Sequence, residues 1–408
     1  MPFLPKPGLS AAQVIQTITD YQTDPATGAP FSPAQVAAQR AQSGRRGNRV
    51  AALGDSITIG NGTSAVGVFG NTSWLTWLGL LSGGRCRMVK GGNAGVAGQT
   101  IDQIAARVAT DVLPLGVDYC IVHGGTNSVT TRTPAQIVAS IEGIGNALLA
   151  GGVTPVLTTL LPRNASGTLV PEINYRIANL AARRGWLLID FYPVLIDPAT
   201  GGILPAYSPD GLHPNEAGAK LLGQRAADVM TTQPGMVAPL LASGVGELTN
   251  LTPNGVFIGD TNADGVANSW ALAAPTGGTA SLVADAAIKG NWQRVVGNGA
   301  AAPYVTANLP AGSWAVGDKL RFMGRVRSTV AGLGSVASPR IRFIGPTLYL
   351  SPATSITQDQ QPGNVFAIEG VVPGGTTTVA IELQAGTGTG TVDFAQITVL
   401  NLTALGIA

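Results

Sequence analysis

Between residues 46 and 232, short apolar runs alternate with stretches of helical periodicity. The runs are RVAAL (49–53), RMVKG (87–91), YCIVH (119–123), TPVLTTL (154–160) and WLLID (186–190), and each reads as a strand. Helices are predicted between and after them. Thr133-Pro134 opens PAQIVASIEGIGNALLA, and Asn215 opens NEAGAKLLGQRAADVM. Apolar strands that alternate with helices predict an α/β fold, with a parallel sheet covered on both faces. Ligands of such sheets sit beyond the carboxyl ends of the strands. The residues just after each strand are therefore where chemistry is to be sought.

From about residue 245 the helical period disappears and Thr, Val and Gly become frequent. Period-two alternation takes over in KLRFMGRVR (319–327), TTTVAIELQ (376–384) and VDFAQITVL (392–400), with Gly, Pro and Asn marking turns. This predicts an all-β sandwich or jelly roll over residues 251–408. The Pro/Gly-rich stretch TTQPGMVAPLLASGVGELTN reads as the connection, with a linker over 233–250 and the α/β domain over 46–232. Residues 1–45 form a separate arm. Ser10 is placed to cap a helix bearing Val14, Ile15 and Ile18, and Ser32-Pro33 restarts a helix after turn-rich sequence.

The length of 408 residues suits two or three domains, and a hydrophobic fraction of 45% supports a sizeable core and excludes wholesale disorder. The 55 glycines carry no collagen period. A net charge of +2 without a basic stripe gives no support to a nucleic-acid partner. No apolar run reaches the roughly 18 residues of a membrane span, and the start, MPFLPKPGLSAAQ, does not read as a secretory signal. An extracellular or virion-associated setting is nevertheless the expectation. Cys86 and Cys120 offer neither a disulfide framework nor a zinc site and read as free, buried thiols.

Directly after the first strand comes Gly54-Asp55-Ser56-Ile57-Thr58. A serine there, entering a helix, is exposed at the sheet edge, where a neighbouring base can activate its hydroxyl. Far downstream stands Asp210-Gly211-Leu212-His213-Pro214. An Asp three residues before a His can orient the imidazole within one turn and leave its other nitrogen facing the serine. His123, the second of two histidines in the chain, ends the third strand and is read as structural. The segments NAGVAGQT (93–100) and GGTN (124–127) follow the second and third strands. A glycine N–H and an asparagine amide are suitable donors to a developing oxyanion.

Together the blocks GDSIT, NAGVAGQT, GGTN and DGLHP, in this order, resemble the SGNH (GDSL-type) hydrolase family over about residues 48–230. The resemblance implies Ser56 as nucleophile, His213 as base and Asp210 as the supporting acid. It also implies an oxyanion hole made of the Ser56 N–H, the Gly98 N–H (with Gly95 as the alternative) and the Asn127 side chain. The implied fold is a three-layer α/β/α sandwich with a five-stranded parallel sheet in flavodoxin-like order. Ser128 stands where family members often carry Asp. An α/β-hydrolase would need a G-x-S-x-G elbow, which the chain lacks.

Weaker signals lie elsewhere. Asp260, Asn262, Asp264 and Asn268 fall at positions 1, 3, 5 and 9 of a loop with Gly265 at position 6, the early half of a calcium loop. Ala271 occupies position 12, and a polar turn is the competing reading. The surrounding sequence loosely resembles the opening of a carbohydrate-binding jelly roll. Trp270, Trp292, Trp314, Tyr304 and Tyr349 could stack on sugars, although aromatics in a sandwich are more often core. Trp74 and Trp77 are expected to pack, and Asp190 and Asn174 either to line the site or to serve ordinary capping roles.

The expectation is a serine esterase that needs no catalytic cofactor, with structural Ca2+ confined to the C-terminal loop. It would remove O-acetyl groups from a polysaccharide, and its partner is an acylated carbohydrate or small ester. Short-chain lipid esters are the alternative within the class. The competing reading is a phage-tail or surface-binding protein on a hydrolase scaffold, in a homo-oligomer or virion assembly.

Overall fold

The computed structural model describes residues 47–61, 70–165, 167–236, 238–273, 277–299, 302–328, 338–351, 364–386 and 389–406. The expected N-terminal arm, with Ser10 and Ser32, lies outside the described residues. Five strands, β1 (Arg49–Gly54), β2 (Arg87–Gly95), β3 (Tyr119–His123), β4 (Thr154–Thr158) and β5 (Leu187–Ile189), pair in parallel in the order β5-β4-β3-β1-β2. Each of the five sequence runs forms one of them.

Both faces of this sheet are buried, which is why its strands read as continuous apolar runs. Along β1, Ala51 and Leu53 enter one core while Val50 and Ala52 enter the other. Helices α1 (Ser56–Ile59), α2 (Trp74–Leu81), α3 (Ile101–Ala105), α4 (Pro134–Ala150), α5 (Val170–Arg184), α6 (Tyr192–Leu195) and α7 (Glu216–Met230) follow in chain order. Ile101 and Ile104 of α3, Ile137 and Ile141 of α4, and Ile173 and Ile177 of α5 cover the first face. Trp74 and Leu78 of α2, with Leu222 and Met230 of α7, cover the second. Caps fix the helix starts: the Thr133 hydroxyl accepts from Gln136 N, and Asn215 Oδ1 accepts from Gly218 N. Trp77 is buried like Trp74, as expected of packing residues. Cys86 and Cys120 are free and buried, and burial pushes both thiols up to about 12.

Beyond the α/β unit the described elements are strands: β6 (Ala271–Ala273), β7 (Thr279–Ala284), β8 (Asn291–Val296), β9 (Tyr304–Asn308), β10 (Lys319–Ser328), β11 (Ser338–Ile344), β12 (Leu348–Leu350), β13 (Val365–Val371), β14 (Thr378–Gln384) and β15 (Thr391–Asn401). They form two sheets, β13-β10-β15-β8-β7 and β12-β11-β14-β9-β6, with Phe322, Phe366, Phe394, Val305, Ile341 and Ile381 sharing one core. This is the layered packing of a β-sandwich. Trp270 and Trp292 belong to that interior. Trp270 donates its indole N–H to Asn254 O, and the Arg327 guanidinium lies 4.2 Å from the Trp292 ring centroid. Tyr304 and Trp314 are half-buried, and Tyr349 is exposed.

The sequence pattern separates an α/β sheet from a β-sandwich, but the structure joins them. β13 pairs in parallel with β2, Ile368 opposite Met88 and Glu369 opposite Val89, so one sheet of ten strands runs through both units. The pairing closes the edge that β2 would otherwise leave open. The connecting segment is docked as well. Tyr119 Oη donates to Pro234 O, Ala242 N to Thr398 Oγ1, and Leu251 N to Val399 O.

At this seam the Glu369 carboxylate, 2% exposed, is shared by four cations. It pairs with Arg87, with Arg321 at 2.9 Å, with Lys319 at 3.4 Å and with Arg49 at 3.5 Å. Burial alone would raise its pKa, but the Arg87 and Arg321 charges hold it below the ordinary value. Removing one partner of a buried ion pair costs about 3–5 kcal/mol, because the other charges stay buried and uncompensated. Glu369→Leu is therefore expected to lower stability by that order in denaturant unfolding at pH 7. The depressed pKa makes the carboxylate's contribution fully present above the unfolded-state pKa and lost as pH falls through the folded-state value. The difference between wild type and variant should accordingly shrink in acid. Equal stability at pH 7 would show that the seam does not depend on this charge.

Candidate active site

Ser56 is the first residue of α1 and sits at the carboxyl end of β1. The turn before it is tight. A Cβ on Gly54 would lie 2.2 Å from His123 O and 2.1 Å from Thr58 Oγ1, so only glycine lets β1 run beside β3 here. Asp55 caps α1 by accepting from Ile57 N at 3.0 Å. Its carboxyl is fully buried, and among the described residues its Oδ2 has no hydrogen-bond partner. Burial raises the Asp55 pKa to about 7, against the smaller opposing effects of the Ile57 N–H and His213.

The DGLH turn brings its two polar side chains to Ser56. His213 Nε2 lies 2.9 Å from Ser56 Oγ, and His213 Nδ1 lies 2.7 Å from Asp210 Oδ2. The second carboxylate oxygen of Asp210 accepts from Leu212 N at 3.0 Å and His213 N at 2.8 Å. Slight burial opposes ionisation of Asp210, but bonds from the His213 ring and from these two N–H groups hold its carboxyl far below the usual range. An ionised Asp210 can only accept, so Nδ1 carries the proton and Nε2 is free to accept from Ser56. Gly211 permits the turn with φ +73, and a Cβ there would meet Asn164 Nδ2 at 2.4 Å. Asn164 braces the same loop, its N–H donating to Gly211 O and its Oδ1 accepting from Ile203 N.

Loops after β2 and β3 complete the edge. Asn127 donates one Nδ2 hydrogen to Gln99 O at 3.0 Å, which leaves the second hydrogen of that amide. Among the described residues, nothing accepts from the backbone N–H of Ser56 or of Gly98. Gly95 differs: its N–H donates to Asn93 Oδ1 at 3.3 Å, and the residue is buried at the end of β2 opposite Gly54. Ser128 Oγ accepts from Ile101 N at 3.0 Å and so anchors the start of α3. A hydroxyl thus makes an ordered loop contact at the position where an Asp often stands.

Two arginines that the sequence does not single out hold this edge. Arg107 donates through Nη2 to both Gly54 O and Ala94 O at 3.1 Å, and through Nε to Gln99 Oε1 at 2.7 Å. It ties the ends of β1 and β2 to the loop that carries Gly98. Arg163 donates to Thr126 O at 2.6 Å, beside Asn127. The carbonyls they reach lie 13 to 53 positions away in sequence, so no local spacing marks these contacts.

The remaining candidates lie apart. His123 is buried, and burial pushes its pKa down to about 4. Thr158 Oγ1 donates to Val122 O, so the His123 Nδ1–H donates to Thr158 Oγ1 at 2.7 Å and the neutral ring is structural. Asp190 accepts from Thr159 Oγ1, and Asn174 bonds both backbone groups of Leu160. In the C-terminal loop, Asp260 accepts from Asp264 N and Gly265 N, Asp264 from Val266 N and from Asn262 Nδ2, and Asn268 from Thr261 N. These bonds build a polar turn from the same oxygens that the calcium expectation requires. No group of three or more His, Cys, Asp or Glu gathers to hold a metal among the described residues.

Asp55 carries a testable sign. Its folded-state pKa lies above its ordinary 3.8, so the folded state retains the proton where the unfolded state has lost it. The resulting cost to stability sets in as pH rises from about 4 and is complete above about 7. Asp55→Asn removes that charge and keeps an acceptor for Ile57 N. The variant-minus-wild-type difference in Tm should increase steadily from pH 4 to pH 8, and a flat difference would contradict a buried, proton-holding carboxyl.

No curated protein matches this chain. Among solved structures, it is similar to a member of the lipolytic protein G-D-S-L family from Veillonella parvula, at 19% identity and TM-score 0.38 over 45% of this chain and 98% of that one. A GDSL-like lipase from Bacteroides thetaiotaomicron matches at 19% identity and TM-score 0.37, over 45% and 88%. An acetylxylan esterase from Geobacillus stearothermophilus matches at 17% identity and TM-score 0.39, over 45% and 94%. Residues 52–221, from within β1 into α7, match the GDSL-like Lipase/Acylhydrolase family, a match that supports this family for the α/β unit.

Proposed function

We propose that the chain is a serine esterase that works through an acyl-enzyme, with Ser56, His213 and Asp210 as its triad. The observation that carries this reading is the relay from Ser56 Oγ to His213 Nε2 at 2.9 Å and from Nδ1 to Asp210 at 2.7 Å. In the first half-reaction Ser56 Oγ gives its proton to His213 Nε2 as it bonds to the ester carbonyl carbon. The carbonyl electron pair moves onto oxygen. The unengaged N–H groups of Ser56 and Gly98 and the second hydrogen of the Asn127 amide are the donors for that oxyanion. Collapse of the adduct expels the alcohol oxygen, which takes the proton from His213. Water then gives a proton to His213 as its oxygen bonds to the acyl carbon, and the second adduct collapses to the free acid as Ser56 Oγ leaves and takes that proton from His213. Asp210 stabilises the imidazolium in both halves.

The side chains of His213 and Asp210 are 42% and 50% exposed, so the triad stands on an open rim. An open rim suits a small acyl group on a bulky alcohol, because the alcohol can remain outside while the acyl carbon reaches Ser56. Together with the β-sandwich this favours O-acetyl groups on a polysaccharide, with short-chain lipid or simple carboxylic esters as the second reading.

Purified wild type and Ser56→Ala should be compared on p-nitrophenyl esters from acetyl to octanoyl and on acetylated xylan. The substitution is expected to lower kcat by about 10⁴-fold or more. Asn127→Ala is expected to lower kcat by about 10²–10³-fold with a smaller change in KM. Acetyl preference with acetate release from xylan supports glycan deacetylation, and longer-chain preference without acetate release supports the lipid reading. Wild type no faster than Ser56→Ala on every substrate would overturn the esterase itself.

A further inference from the structure

A cavity of about 290 Å³ opens at the seam between the parallel sheet and the sandwich, away from Ser56. Its polar lining is Arg49 of β1, Lys319 of β10 and Glu369 of β13, and its apolar lining includes Phe343, Tyr349 and Leu350 of the second sandwich sheet. Both units of the chain therefore contribute to one concave site. Its volume is at the lower end of the range for small-molecule pockets, about 300–1,000 Å³.

Two buried atoms in this lining lack hydrogen bonds. Among the described residues, Glu369 Oε2 accepts none, and Arg49 Nε donates none. They stand 3.5 Å apart, and Lys319 Nζ is 3.4 Å from the same oxygen. The other Arg49 nitrogens are committed to the carbonyls of Gly116 and Leu115. Arg49 and Lys319 thus meet Glu369 as charges rather than through hydrogen bonds, and the Lys319 ammonium, with three donors, can take a second acceptor from the cavity.

Charge narrows the ligand further. Arg49 and Lys319 face Glu369 in the lining, and Arg87 and Arg321 reach that carboxylate from behind it. Four cations against one carboxylate leave the site positive, which favours an anion. Tyr349, 37% exposed, forms part of the wall, with one side of its ring covered by the Arg340 guanidinium at 4.5 Å. Such a wall suits the C–H face of a ring.

We infer that this seam cavity binds a uronate unit of an acidic polysaccharide. The sugar carboxylate would meet Lys319, and the ring would lie against Tyr349. The site holds glycan at the joint of the two units and does not depend on the ester chemistry at Ser56.

Titration calorimetry of the full chain with a galacturonate tetramer, and with the neutral galactose tetramer as control, tests this without any turnover. The acidic tetramer is expected to bind with Kd of about 10–1,000 μM and at least about tenfold more tightly than the neutral one. Raised salt should weaken it. Lys319→Met and Tyr349→Ala should each weaken binding by about tenfold, while Lys319→Arg, which keeps the charge, should retain it. Absence of binding by the wild type, equal binding of both tetramers, or binding unchanged by Lys319→Met would each overturn the inference. Unchanged p-nitrophenyl ester turnover in Lys319→Met would separate loss of this site from loss of the fold or of the esterase.

Discussion

The β2–β13 pairing is the constraint on which the arrangement of this chain depends. A parallel sheet of five strands has two edges, and an exposed edge presents backbone groups that invite pairing with other chains. Here the strand supplied by the sandwich takes up the outer edge of β2. The cost of that solution is that Arg49 and Arg87 of the α/β unit and Lys319 and Arg321 of the sandwich converge on one buried carboxylate. At the seam Glu369 compensates charges contributed by both units. It also leaves a positive, concave surface that exists only when both units are present.

The same sheet determines where chemistry can occur. The chain leaves β1, β2 and β3 at the same edge, so Ser56, the Gly98 loop and Asn127 converge although tens of residues separate them. Convergence alone would not fix their relative positions. Arg107 does so by donating to the last carbonyls of two neighbouring strands and to the Gln99 side chain, and Asn127 closes the arrangement by donating to Gln99 O. The rigid elements place the groups, and a few long-range bonds to backbone carbonyls set the geometry to fractions of an ångström.

Much of this was legible in the sequence, for identifiable reasons. Strands buried on both faces leave an uninterrupted apolar signature, so YCIVH and RVAAL could be read directly. Capping is local, so Thr133 and Asn215 mark their helices. The Asp210 and His213 pairing spans three residues of one turn and is equally local. The seam was not legible, because Ile368 and Met88 are 280 positions apart and nothing in either strand's alternation names its partner. Arg107 and Arg163 were hidden because an isolated arginine on a helix or loop reads as a solvated charge. The Asp260 loop shows the converse: its spacing fits a ligand pattern, yet the same spacing closes Asx-type turns in which the oxygens accept from their own backbone.

Two carboxyls stand near His213, and their environments drive them in opposite directions. Asp210 is half exposed and receives the imidazole N–H and two backbone N–H groups, so its charge is stabilised several times over. Asp55, one residue before the serine, is buried with, among the described residues, a single backbone donor and one oxygen without a partner, so its proton is retained up to about pH 7. Had both been equally ionised, the field at the imidazole would have two competing sources and its orientation would be less defined. Separation of the two by burial leaves one full negative charge on the Nδ1 side of the ring and a capping group beneath the serine. The order of the motif, Asp then Ser, thus assigns its acid to building the turn, while the acid of the distant DGLH turn orients the His213 ring.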